Sequence, residues 1–369
     1  MKIAVVGAGI FGISVALRLS RAGYDVDLIE KNSDILQAAS GINQYRLHRG
    51  YHYPRSFETS QSASAAEAHF RAEYGEAVVD HNNHYYGIAR EGSKVSAQEF
   101  QDFCRRCDLE FEKVSLPLLD EDEFQLIVKV RESLFDPGAL YKICRDKLHN
   151  SSIKLKLNMT ADHSIFSKYD RVINCTYANL NSLLHPDKHD KKKYQFELCE
   201  KPILKFSPQF RRTSIVVLDG PFMCIDPLGS TNLHVMGNVV HALHHTGTGH
   251  CLDIPPEYIS VMNKGVVPAQ NIQHISRIND FIKSASQYIP EAVEAKHVGS
   301  MFTIRTVLPN VDHTDARPTL VEQVDDTLIT VFSGKIGNSV IAAEEVLKLI
   351  QKKTKLPVIL KKRLPKRRK

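Results

Sequence analysis

Nowhere does this chain approach the ~18 uncharged apolar residues that a transmembrane helix requires, so no membrane span is expected. Cysteine is sparse. Seven among 369 residues, an odd number without framework spacing, argue against a disulfide scaffold and for a reducing compartment. The close pair Cys104 and Cys107 in FCRRCD has no second pair to complete a zinc site, and it sits in an amphipathic, helix-like stretch. No secretory leader is read at the N-terminus, because the apolar run after Lys2 is broken by three glycines and leads into a second strand. A cytoplasmic location is the expectation. Excess charge is small as well: +6 overall, much of it in KKTKLPVILKKRLPKRRK at the C-terminus. The body is near neutral, so no nucleic-acid partner is expected. Residues 351–369 read as a basic, solvated, disordered tail, with contact to an anionic membrane surface the less favoured alternative.

What the chain does have is a 43% hydrophobic composition, enough for two domains or one elaborate one. It opens with KIAVVGAGIFGISVALRLSRAGYDVDLIEK, which reads as a βαβ unit. Ile3 to Val6 suit a buried parallel strand. Gly7, Gly9 and Gly12 form G-x-G-x-x-G, with Ala8, Ile10 and Phe11 between them. The first glycine permits a tight turn, the second lets backbone approach a pyrophosphate, and the third allows close helix–strand packing. Ile13 to Arg21 read as a helix ended by Gly23, its N-terminus turned to the phosphates. The second strand, Val26 to Ile29, closes on Glu30, followed by Lys31. Glu30 stands 18 residues after Gly12, near the ~20 expected of an acid that bonds a ribose hydroxyl. An acid there favours FAD or NAD over NADP.

The next segment, KNSDILQAASGINQYRLHRGYHYPRS, has no strand pattern where an NAD dehydrogenase would begin its third strand. Near the C-terminus, DTLITVFSGKIGNSVIAAEEVLKLI reads as strand, glycine turn and helix, with Gly334 and Gly337 bringing a second helix N-terminus to a ligand. Over most of its length the layout resembles the D-amino-acid oxidase / glycine oxidase superfamily of FAD enzymes. The resemblance rests on VVGAGIFG with Glu30; on the segment holding Ser40 and Asn43; on DRVINCTYANLN, similar to "VVNATG"; and on FTIRTVLP with VFSGKIGNS, similar to "G-x-R-x-x-x-P" and the glycine-rich flavin turn. Locally, SGINQYRLHRGYHYPRS is similar to the L-2-hydroxyglutarate dehydrogenase segment "hNSGviHaGiYYppgS", His48 and Gly50 matching its histidine and glycine and Tyr53 falling near its aromatic pair. Two positions depart from the superfamily: Tyr177 stands where a glycine is usual, and Lys335 where many members have histidine.

The resemblance implies an α/β fold: a discontinuous Rossmann-like FAD-binding domain (1–80, 135–185 and 297–350) plus a mainly antiparallel α+β substrate domain (81–134 and 186–296). It implies non-covalent FAD, since SMFTIRT lacks the cysteine that anchors flavin in sarcosine oxidases. The cofactor would be held by the glycine loop, Glu30 and Lys31, by Ser40, Asn43, Arg46 and Leu47, by Thr176, and by Gly334, Lys335, Ile336, Gly337 and Asn338. Arg305 matches the carboxylate-anchoring arginine. A planar guanidinium holds a carboxylate bidentately, and its alternative role is a structural ion pair. His48 is the general-base candidate, with flavin packing as the alternative. Tyr53 and His52 are candidates to line the cavity or bond the substrate. Arg46 and Arg49 are candidates for phosphate or substrate contact, or for plain solvation. The four histidines of HALHHTGTGH read as a β-hairpin end near the cavity rather than a metal site.

The expected activity is oxidation of a C–N or C–OH bond of a small, carboxylate-bearing donor by hydride transfer to flavin, with a small-molecule substrate and an electron acceptor, oxygen being one candidate. The alternatives are an enzyme of the same fold acting on an amino sugar or other biosynthetic intermediate, and a non-catalytic flavin-binding module. A flavin hydroxylase is disfavoured because SGKIGNS carries no acid.

Overall fold

A computed structural model of the chain describes residues 1–220, 222–251, 253–309 and 318–354. Most of the expected basic tail lies outside this range.

The βαβ reading is realised with small shifts. Lys2–Val6 is a strand whose last four residues are buried, and Asp25–Ile29 pairs with it in parallel. The helix between them, Ile10–Arg21, starts earlier than the hydrophobic pattern predicts, because Gly9 is its N-cap. Six strands form this sheet, in the order Leu320–Gln323, Leu328–Phe332, Arg171–Asn174, Lys2–Val6, Asp25–Ile29, Lys154–Lys156. Only the first of these is antiparallel to its neighbour. Parallel strands must be covered on both faces. Ile13 and Ala16 of the first helix share a buried cluster with Ala342 and Val346 of the helix Ser339–Thr354.

A second sheet of ten strands stands against this unit. Its main path runs Val267–Pro268, Lys296–Val307, Tyr194–Lys205, His234–Asn238, Met223–Pro227, Thr213–Leu218, Asn83–Ala89, Phe124–Val130, Phe111–Lys113. Leu243–Gly249 pairs on Tyr194–Cys199 off that path. All its pairings are antiparallel except Thr213–Leu218 with Asn83–Ala89. A small third sheet joins Arg46–Leu47, Ser133–Phe135 and Val78–Val79.

Two expectations need correction. Lys296–Val307 does not belong with the dinucleotide-binding strands: it runs antiparallel to Tyr194–Lys205 over eleven paired positions, Gln195↔Val307 to Lys205↔Lys296. HALHHTGTGH is not a hairpin end. Most of it is the strand Leu243–Gly249, and its His244 is buried against Glu200 and Tyr258 at 2.8 and 2.9 Å. No helix among the described residues is long and apolar enough to cross a membrane.

Candidate flavin and donor site

The glycine loop sits at the carboxyl end of the first strand, where a parallel sheet presents its ligands. Gly7 has φ +98, and a Cβ there would lie 2.8 Å from the Cys175 carbonyl oxygen. A Cβ on Gly12 would lie 1.8 Å from the Gly7 carbonyl oxygen, so no other residue fits without moving backbone. Gly9 caps the helix without a side chain, and the first turn holds no acid. That N-terminus therefore keeps its partial positive charge for an anion. The Ile10 amide donates to Ser40 Oγ at 3.0 Å, drawing the 38–45 loop over the helix end. Buried Glu30 accepts from the Ala8 amide at 2.7 Å and from the Asn32 amide at 2.9 Å. It thereby fixes the loop while its carboxylate stands at the strand end. Buried Ala8 and half-buried Phe11 complete the cradle, and Lys31 is exposed. These residues fit a dinucleotide: the cradle is backbone that a Cβ would obstruct, a helix end whose N-cap is a glycine faces it, and a buried acid lies beside it.

Thr176 follows the parallel strand Arg171–Asn174 and is fixed by Asn174, which accepts from its Oγ1 at 2.6 Å. The next residue, Tyr177, adopts φ +54, the left-handed conformation a glycine would take most easily. Its hydroxyl donates to the Thr306 carbonyl and accepts from the Thr306 amide, both at 2.9 Å, and its ring stacks on Phe332. The tyrosine thus keeps the glycine's backbone shape and ties the dinucleotide strands to the larger sheet.

Asn43 is a loop-closing residue: its amide donates to the Ala39 and Ser40 carbonyls, and its Oδ1 accepts from Tyr45 N. Leu47 is buried, and its Cδ1 would be 3.2 Å from a Cβ on Gly337, so the 42–56 segment packs against the C-terminal glycine turn. There Gly334 is exposed and Ile336 half-buried. Lys335 is buried, its Nζ 4.4 Å from the Tyr53 ring centroid. Asn338 donates to Thr319 Oγ1 at 2.6 Å, and its own Oδ1 is buried without a partner among the described residues. His48, His52 and Tyr53 cluster here, their ring centroids 5.2 to 5.5 Å apart. The structure therefore brings together three of the four predicted catalytic side chains beside the C-terminal glycine turn.

Arg46 needs a correction. It is buried and its guanidinium is committed to the protein: its terminal nitrogens donate to Tyr86 and Ser214 at 3.0 and 3.2 Å and to Asp226. Arg49 is likewise committed, to Glu67 at 2.6 and 2.9 Å. Sequence reading missed the group that organises both segments, Glu132, whose side chain is fully buried. It accepts from the Arg49 amide and from Tyr86, and lies 3.4 Å from His48 Nδ1. Burial works against its charge, but His48, Arg46 and Tyr86 outweigh it and hold the carboxyl far below the usual range. The one signal was a glutamate preceding the apolar strand Ser133–Phe135.

Arg305, the fourth candidate, lies on the paired strands Lys296–Val307 and Tyr194–Lys205. Its Nε donates to Glu197, directly across the ladder, and Glu197 also accepts from Gln195 at 2.8 Å. Burial opposes the guanidinium's charge, while Cys199 and Glu197 raise its pKa. Its side chain stays 38% exposed, and its terminal nitrogens make no hydrogen bond with described residues. It shares a strand face with Met301, which packs in one cluster with Ile10, Tyr45 and Leu47. That face is turned toward the dinucleotide cradle.

A family model for FAD dependent oxidoreductases, abbreviated DAO, matches residues 2–148. Residues 2–148 thus carry an FAD-dependent oxidoreductase domain. The chain is an FAD-dependent oxidoreductase, and its cofactor is FAD. It is 27% identical to the FAD-dependent monooxygenase kojA of Aspergillus flavus, across 95% of this chain and 86% of that protein. Its fold is that of the glycine oxidase from Geobacillus kaustophilus, with a TM-score of 0.70 at 15% identity over 95% of this chain and 94% of that one. The L-alpha-glycerophosphate oxidase of Mycoplasma pneumoniae, a structure with FAD bound, matches with a TM-score of 0.68 at 11% identity, again over 95% and 94%.

Proposed function

We propose that this flavoenzyme oxidises a C–N or C–OH bond of a small, carboxylate-bearing donor. Non-covalent FAD would supply the hydride acceptor. The observation that carries this reading is the placement of Arg305: a guanidinium oriented through Nε by Glu197, with both terminal nitrogens unbonded by described residues, on the strand face turned toward the cradle. A planar fork held in this way binds a carboxylate in one orientation. The donor's proton goes to His48 in this account. The imidazole stands between Glu132, His52 and Tyr53, within a cluster of basic and hydroxyl groups packed on the flavin turn. Gly337, Asn338 and the helix Ser339–Thr354 would place a second helix N-terminus at the flavin.

The test is anaerobic addition of amino acids, N-methyl glycines, 2-hydroxy acids and amino sugars to the FAD-loaded protein. Bleaching of the flavin spectrum by a carboxylate donor supports the reading. Bleaching only by a sugar-like donor refutes the carboxylate requirement. A second reading has a specific observation behind it: the Aspergillus relative, similar over 95% of this chain, is named a monooxygenase. Oxygen-dependent consumption of NADH or NADPH that rises with a donor, without anaerobic bleaching by that donor, would favour oxygen insertion over simple oxidation.

A further inference from the structure

Lys201 and Glu200 are neighbours on one strand, point to opposite faces, and are treated very differently by the fold. Glu200 is fully buried, and the protein meets all of its needs. It accepts from Ser276 and Ser300 at 2.5 and 2.6 Å, from the Arg277 amide at 3.0 Å, and is paired with His244 at 2.8 Å. Lys201 lies on the other face, paired across the ladder with Met301, two positions along from Cys199 and four from Glu197. Its amine forms no hydrogen bond and no ion pair with described residues. Burial lowers its pKa, Arg305 adds to the lowering, and Cys199, Cys224 and Asp226 oppose it. Yet the residue is only half-buried by accessible area. The side chain thus keeps part of its surface open on the strand face opposite Glu200.

The nearby carboxylates are already assigned. Glu197 is held by Arg305 and Gln195. Asp226 is held by Arg46, Ser214 and Gln44. Setting each cation against its carboxylate leaves Lys201 over. An ammonium partly withdrawn from water without a partner gains from any counter-charge that reaches it, and a ligand is the natural source of one. Gln44 lies close by: its amide donates to Cys224 Sγ at 3.2 Å and to Asp226 at 3.1 Å, while its buried carbonyl oxygen has no partner among the described residues. An open acceptor next to Cys224 and Asp226 suits a donor that carries a hydroxyl or amine beside its anionic group.

We infer that Lys201 is a specificity-determining residue of the donor site, forming with Arg305 an anion subsite that takes an oxyanion of the substrate, a carboxylate in the first instance, and rejects neutral isosteres. This rests on the donor-site reading above and deepens it. The subsite is tested in the FAD-loaded protein with two inert probes, malonate and its neutral counterpart malonamide, by titration calorimetry at low ionic strength. Malonate should bind and malonamide should not. Lys201→Met should weaken malonate at least tenfold, and Lys201→Arg should stay within a few-fold of the parent. Retained FAD in each variant reports that the fold is intact. If Lys201→Met misfolds, the comparison of Lys201→Gln with Lys201→Arg carries the same expectation. Malonate affinity indifferent to the charge at position 201, equal binding of malonamide, or no malonate binding to an FAD-loaded protein would each overturn the inference while leaving the flavoenzyme reading in place. A protein that takes up no FAD would remove that reading, and the inference with it.

Discussion

The glycine cradle and the face bearing Arg305 and Lys201 are built on different principles. The cradle is made of backbone: Gly7, Gly9 and Gly12, two amides on Glu30 and a helix end, contributed almost entirely by the first 32 residues. The proposed donor region is made of side chains drawn from distant segments: Gln44 and His48, Glu132, Glu197 and Lys201, Asp226, and Arg305. A backbone site tolerates no added atom but is nearly blind to side-chain charge. A side-chain site depends on charge and tolerates changes of shape. The two regions should therefore fail in different ways.

The largest effect should come from the cradle. Gly12→Ala places a Cβ 1.8 Å from the Gly7 carbonyl oxygen, a clash with backbone that no rotamer relieves. Overpacking of this kind costs about 1–3 kcal/mol or more. Flavin content of the purified variant should fall to near zero, and full FAD occupancy would break the account of the loop. The comparable experiment on the other side is Glu132→Gln, which removes the buried carboxylate beside His48 and Tyr86 while Arg46 keeps Asp226. Leaving a buried charge wholly unpaired costs about 3–5 kcal/mol, so with Asp226 in place denaturant unfolding should show a smaller loss, with FAD still bound in the folded fraction.

Acid should act on the larger sheet before it acts on the cradle. His84 is 1% exposed, and neither ring nitrogen has a partner among the described residues. Burial lowers its pKa to about 4. Between the unfolded value of about 6.5 and the folded value of about 4, the unfolded chain binds more protons, so stability falls as pH falls through that window, by about 3 kcal/mol in all. His84→Phe should flatten this loss in unfolding curves measured from pH 7 to pH 4. An unchanged slope would place the acid sensitivity elsewhere. The smallest effect belongs to Ser40→Ala, which removes the acceptor for the Ile10 amide. By analogy with an N-cap deletion it should cost about 1 kcal/mol and weaken FAD several-fold without emptying the site.

The same contrast explains what the sequence reveals. The βαβ unit is legible because every part of it is local. Strand, glycines, helix and acid occur within 30 residues, and each glycine has a steric reason that follows from the motif alone. The clustering of His48, His52 and Tyr53 is legible for the same reason: they are neighbours in the chain. Glu132, Asp226 and Lys201 are not. Glu132 and Asp226 are single charges in or beside short apolar strands, Lys201 is one of four charged residues in Tyr194–Lys205, and only the sheet register shows which carboxylate faces which cation. The arginine of Lys296–Val307 belongs to the family pattern, which points to the dinucleotide-binding half; pairing with Tyr194–Lys205 assigns the strand to the other sheet. Arg46 resembles a phosphate ligand because the flanking loop passes the cradle, yet register turns its guanidinium into the ten-stranded sheet. At Tyr177 the sequence shows a departure but not its resolution, since its hydroxyl partner, Thr306, lies 129 residues away.

The most direct test of the donor site is anaerobic flavin reduction, followed over a range of donor concentrations in the parent and in Arg305→Met. The account predicts that the saturating concentration of a carboxylate donor rises roughly 10- to 100-fold, the equivalent of about 1.5–3 kcal/mol for hydrogen bonds to a charged group, while the limiting reduction rate changes much less. An unchanged saturating concentration would mean that Arg305 serves only Glu197, and that the donor is held somewhere else.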